Sequence, residues 1–86
     1  MPAAKSAVTI DFYVQLIAEE GGGFSAVALN LPGTGSCGDT EQEALGNFKE
    51  AARGALASYL EAGDAIPWVN DLKSLPSGGK WITVHV

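Results

Sequence analysis

Residues 31–44, Leu-Pro-Gly-Thr-Gly-Ser-Cys-Gly-Asp-Thr-Glu-Gln-Glu-Ala, leave this chain few ways to fold. Pro32-Gly33 stops whatever strand precedes it. Gly38 permits a backbone conformation that a side chain resists. Thr40 and Glu43 stand at capping-box spacing: the Thr40 hydroxyl accepts from the Glu43 amide, and the Glu43 carboxylate reaches back to the Thr40 amide. The segment therefore ends an extended hairpin, leaves room for a short third strand over residues 35–38, and starts a long helix.

The flanks agree with that junction. Val8, Ile10, Phe12, Val14 and Leu16 alternate with Thr9, Asp11, Tyr13 and Gln15, which is strand periodicity from Val8 to Ile17. Glu19-Glu20-Gly21-Gly22-Gly23 makes a turn whose glycines are free to take positive φ. Phe24 to Leu31 reads as the return strand, and its small residues Ser25, Ala26 and Ala28 suit a close approach on one face. From Thr40 to Ala62 the spacing becomes helical. Leu45, Phe48, Ala52, Ala55, Leu56, Tyr59 and Leu60 recur every three or four residues as one apolar stripe. Asp39, Glu41 and Glu43 sit at the positive end of the helix dipole, and Gly63 is placed to cap the other end. Gly46 and Gly54 inside the helix each cost about 1 kcal/mol relative to Ala, a cost that close packing against the sheet or a second subunit would explain.

Residues 64–79 form a connector. Pro67, Pro76, Ser77, Gly78 and Gly79 break regular structure, while Trp68, Val69, Leu72 and Leu75 can anchor it to the core. Residues 80–86 read as a last strand, with Trp81, Thr83 and His85 on one face and Ile82, Val84 and Val86 on the other. A strand that follows a helix commonly lies parallel to its neighbour through a right-handed crossover. The expected architecture is α+β. It has β-β-β-α-β order, a mostly antiparallel sheet in the order 3-2-1-4, and one long helix on one face. Domain organisation is expected to be one unit over residues 1–86, with a core over about 8–63.

Leu31-Pro32-Gly33, Gly38-Asp39-Thr40 and Glu43-Ala44, in this order and spacing after a strand pair, resemble the HicB-like antitoxin family. The resemblance spans roughly residues 8–63. It implies a truncated RNase H-like fold and a structural role for Leu31, Pro32, Gly33, Gly38, Asp39, Thr40, Glu43 and Ala44. It also implies a partner: a small basic RNA-cleaving toxin of HicA type, whose active site the antitoxin covers. Two positions depart from the family pattern. Thr34 stands where many members have Cys, and Asn30 stands where Asp is common. The DNA-binding extension of full-length members has no counterpart in these 86 residues, so autoregulation through such an extension is not expected of them.

Composition narrows the chemistry. Ten acids against five bases give a net charge of −5, the wrong sign for gripping a phosphate backbone and the right one for a basic protein partner. Glu19, Glu20, Glu41, Glu50 and Glu61 are the candidate partner-facing residues. One cysteine, Cys37, makes no internal disulfide, and with one histidine, His85, there is no zinc pattern. His85 has no nucleophile or orienting acid at a telling spacing. Asp11 stands on a first strand where a two-metal nuclease places an acid, yet no further acid stands on a matching strand. Gly21-Gly22-Gly23 is not followed by the lysine and helix of a phosphate-binding loop. The residues thus point away from an enzyme and from any cofactor. No apolar run reaches the ~20 residues of a membrane span, and Met1 to Ser6 lack a signal-peptide core, so a bacterial cytoplasmic protein is expected. Because one helix covers only one sheet face, a homo-oligomer, dimer or tetramer, is expected too. The alternative to an antitoxin is a stand-alone oligomeric regulatory or small-ligand-binding module.

Overall fold

The computed structural model describes residues 8–85; Val86 and the side chain of Leu72 lie outside the described residues. Four strands and one helix follow in the order β1 (Thr9–Ala18), β2 (Phe24–Ala28), β3 (Gly35–Gly38), α1 (Glu41–Ala62) and β4 (Lys80–His85), with a 3-10 turn at Leu72–Ser74. This is the expected α+β fold with β-β-β-α-β order. The four strands form one sheet in the order β3-β2-β1-β4.

Alternation along β1 decides which side of the sheet becomes the core. Phe12 and Val14 are buried under α1, while Asp11 and Tyr13 point to the other face. The helix contributes a row four residues apart: Ala44, Phe48, Ala52 and Leu56. Phe12 and Phe48 meet edge to face with ring centroids 5.5 Å apart. Leu31, Val84, Ala26 and Ala28 complete the core. Ala26 and Ala28 are the small residues that let the helix approach. At 3.6 residues per turn, each step of four rotates the row by about 40°. By Leu60 the row has turned off the sheet, and that side chain is 74% exposed rather than part of the apolar stripe.

Both helix ends are sealed locally. Thr40 is the N-cap, and its hydroxyl accepts from the Glu43 amide at 3.0 Å. The Glu43 carboxylate accepts from the Asp39 amide at 2.6 Å, not from that of Thr40. The reason lies in Gly38. Its φ is not positive. Its bare Cα instead rests on the first turn of α1: a Cβ there would come within 2.6 Å of the Ala44 nitrogen and 2.9 Å of the Glu43 Cβ. That close approach carries the Asp39 amide to the Glu43 carboxylate. At the other end Gly63 takes φ 73°, its amide donates to Leu60 O, and the Asp64 amide donates to Tyr59 O. This is a Schellman cap. Gly46 and Gly54 have nothing within 4 Å of a built Cβ, so among the described residues no close packing accounts for them.

Two expectations about strands need correction. The return strand ends at Ala28, not Leu31. Residues 31–34 form a turn in which the Thr34 amide donates to Leu31 O at 3.2 Å and Gly33 has φ 93°, the type II pattern with Pro at the second position and Gly at the third. And β4 runs antiparallel to β1, with Val14 opposite Lys80 and Thr9 opposite His85. The connector explains the reversal. Trp68 packs on Phe12, on the helix side, with centroids 5.5 Å apart. The chain then passes to the opposite face, where Leu75, Pro76 and Ser77 share a hollow with Tyr13 and Trp81. There the Gly79 amide donates to the Tyr13 hydroxyl at 3.2 Å. The connector therefore delivers the chain to mid-sheet, and β4 descends beside β1 instead of climbing parallel to it.

Candidate functional site

Three surfaces could carry a function: the sheet face away from α1, the acidic end of the molecule, and a hollow under the connector. Each follows from local sequence.

The open face carries Tyr13, Gln15 and Ile17 of β1, Val27 of β2, Cys37 of β3, and Trp81 and Thr83 of β4. Strand alternation places them together. Tyr13 and Trp81 are cross-strand partners with ring centroids 5.0 Å apart. The connector covers part of this face through Leu75 to Gly79, not through Trp68. Trp81 remains 53% exposed and Ile17 39% exposed.

The acidic end is where the β1–β2 turn meets the helix start. Glu19 and Asp39 line one hollow of about 300 Å³ with Phe24, Ser25, Cys37 and Gly38. Ser25 Oγ donates to Glu19 Oε2 at 2.5 Å. Glu20 follows Glu19 in the turn, and Glu41 and Glu43 follow Asp39 in the first helical turn. Of the five candidate partner-facing acids, Glu19, Glu20 and Glu41 are therefore gathered at one end. Glu50 lies in the middle of the helix and Glu61 at its far end, all of them exposed. Asp39 and Glu43 have local work, capping and charge at the helix start.

A residue that the sequence reading passed over organises the third surface. Asn30 is 7% exposed and stands where β2 has ended but β1 continues. Its Oδ1 accepts from the Tyr13 amide at 2.9 Å, its Nδ2 donates to Asp11 O at 3.3 Å, and its own carbonyl accepts from the Val69 amide at 2.9 Å. One side chain thus replaces a missing stretch of strand and ties down the connector. The task needs one donor and one acceptor, which Asn has and an ionised Asp lacks. The only signal available in the sequence was this departure from Asp. Asn30→Ala is expected to cost about 1–3 kcal/mol, because it orphans half-buried backbone groups of Tyr13 and Asp11; urea unfolding measures it. Around Asn30, a groove of about 400 Å³ is lined by Ile10, Asp11, Trp68, Val69 and Asn70.

The residues weighed for catalysis do not converge. The Asp11 carboxylate is exposed and accepts from the Thr83 hydroxyl at 2.8 Å. His85 is exposed, and its carbonyl accepts from Arg53 Nε at 2.8 Å. Among the described residues no three His, Cys, Asp or Glu side chains gather where they could hold a metal ion. No helix among the described residues is long and apolar enough to cross a membrane. Leu31 is fully buried, Pro32 and Gly33 form the turn beneath it, and Ala44 is buried against the sheet.

The chain matches no protein-family model and no curated protein. Among solved structures it is similar to the N-terminal domain of the Burkholderia pseudomallei antitoxin HicB. The two are 23% identical and superpose with a TM-score of 0.62, over 90% of this chain and 98% of that domain. The fold of this chain is that of the HicB N-terminal domain.

Proposed function

We propose that this chain is a non-catalytic binding module of antitoxin type, which neutralises a small basic RNA-cleaving toxin of HicA type by covering its active site. The observation that carries the proposal is the end-to-end likeness: the neighbouring domain is matched over 98% of its length by 90% of this chain. An antitoxin of this kind needs no chemistry of its own. It needs a stable surface of complementary charge, and ten acids against five bases supply the sign. The acidic end around Glu19, Glu20 and Glu41 is the surface offered to the toxin, in the cytoplasm where the toxin meets its RNA.

The test is capture of the tagged chain from its host's lysate, with identification of the co-purifying chains. The expected result is a small basic protein near equal stoichiometry that cleaves RNA when freed. Recovery of this chain alone overturns the proposal. Charge reversal sharpens the claim about the surface. Glu20→Lys with Glu41→Lys is expected to weaken binding by about 1 kcal/mol or more at low salt, roughly fivefold. Glu61→Lys, at the other end of the helix, is expected to change it far less. Calorimetry at two salt concentrations separates this outcome from an interface that ignores charge.

A further inference from the structure

The two edges of the sheet are finished differently, and the difference identifies a docking surface. An unpaired strand edge is a template for another strand, which folded proteins usually shorten, kink, charge or cover. The β3 edge is treated in this way. It has only four residues and begins and ends in glycine. The β4 edge is six residues of Lys-Trp-Ile-Thr-Val-His, with no proline, no glycine and no carboxylate.

The hydrogen-bond pattern shows which groups β4 turns outward. The Tyr13 carbonyl accepts from the Leu29 amide, and the Tyr13 amide and Asp11 carbonyl bond to the Asn30 side chain. Residues 11 and 13 therefore turn their backbone toward β2. Ile10, Phe12 and Val14 turn theirs toward β4, where they face Val84, Ile82 and Lys80. It follows that Trp81, Thr83 and His85 direct their amides and carbonyls to the free edge. The His85 carbonyl points the same way and accepts from Arg53 Nε at 2.8 Å, as the Cys37 carbonyl on the other edge accepts from Asn47 Nδ2, so the length and composition of the strands, not such a contact, distinguish the two edges.

We infer that β4 pairs antiparallel with β4 of a second copy of this chain, about a two-fold axis at Thr83. The outward groups form a self-complementary set. With Thr83 opposite its own counterpart, Trp81 of each copy stands opposite His85 of the other, and each of these pairs exchanges backbone hydrogen bonds, the second lone pair of the His85 carbonyl taking the Trp81 amide beside its Arg53 contact. On the open face this sets Thr beside Thr and Trp beside His; on the helix face it sets Ile82 beside Val84, pairs that favour antiparallel sheet. Both helices then lie on one side of a continuous eight-stranded sheet. Charge selects the same edge. A chain of net charge −5 repels its copy; at this edge Lys80 offsets the Asp11 carboxylate that accepts from Thr83, whereas the opposite corner carries Glu19, Asp39 and Glu41. Pairing at β4 leaves that acidic corner free. The inference does not rest on the antitoxin reading.

The register is testable at one position. Opposite residues of a hydrogen-bonded pair have Cα atoms about 5.5 Å apart, inside the range a disulfide spans. In the full chain with Cys37→Ser, Thr83→Cys is expected to give a covalent dimer as the main product of mild oxidation at micromolar concentration, while Cys37→Ser with Asn70→Cys stays mostly uncross-linked. Sedimentation of the unaltered chain is expected to give twice the mass of one chain. Thr83→Pro removes an amide that β1 does not use, and is expected to halve that mass with the far-ultraviolet dichroism unchanged. Monomer mass for the unaltered chain overturns the inference, and so does equal cross-linking at positions 83 and 70. If Thr83→Pro fails to fold, the cross-linking comparison decides alone.

Discussion

Replacing Phe12 with alanine is expected to destabilise the chain by about 3–5 kcal/mol, the usual range for a buried Phe truncated to Ala. Phe12 is fully buried, and its ring meets both the helix, through Phe48, and the connector, through Trp68. Neither neighbour can fill the space alone, since each is held by a different element. A domain of this size sits toward the low end of the ~5–15 kcal/mol that folded proteins possess. The variant should therefore be largely unfolded at modest urea, with an unchanged slope if two-state behaviour holds. Leu60→Ala provides the contrast. Its side chain is 74% exposed, and its effect should stay within about 0.5 kcal/mol. A loss below about 1 kcal/mol for Phe12→Ala would contradict the packing described.

The same substitution, glycine to alanine, is expected to have opposite signs in two parts of this chain. At Gly38 a Cβ would lie 2.6 Å from the Ala44 nitrogen and 2.8 Å from the Glu43 carbonyl carbon. Those are backbone atoms of a helix turn, so relief requires moving the helix off the sheet. Such overpacking costs about 1–3 kcal/mol and can exceed that. It would also draw the Asp39 amide away from the Glu43 carboxylate. At Gly46 and Gly54 the space is open, and alanine should stabilise by about 0.5–1 kcal/mol each through helix propensity and a less flexible unfolded chain. Thermal unfolding of the three variants side by side gives the signs directly. Gains at positions 46 and 54 together with a loss at 38 match the structure; a gain at 38 does not.

These contrasts show what the sequence made legible. Elements with strong local signals are legible nearly to the residue. The helix runs from Glu41 to Ala62 between the expected Thr40 and Gly63 caps, and the sheet has the expected order 3-2-1-4, although the crossover rule that puts the last strand beside the first also makes it parallel, which it is not. What escaped depends on contacts between distant residues. Gly38 has its place because of Ala44 and Glu43, which a reading of turn propensity does not weigh. The direction of β4 depends on the connector crossing from Phe12 on one face to Tyr13 on the other, and neither breaker residues nor crossover rules contain that path. Asn30 looked like a minor variation on a turn, yet its amide spans the gap that β2 leaves beside β1. In the sequence the five candidate acids share only their expected exposure. Only the meeting of the β1–β2 turn with the helix start brings Glu19, Glu20 and Glu41 to one end.

The measurement closest to the central claim is a titration of this chain into RNA cleavage by the small basic protein that co-purifies with it. Masking by a non-catalytic module predicts that cleavage falls linearly and ceases near a fixed molar ratio, while this chain alone cleaves nothing with magnesium or manganese present. Cleavage that persists with this chain in excess, or RNA cleavage by this chain itself, would contradict the account.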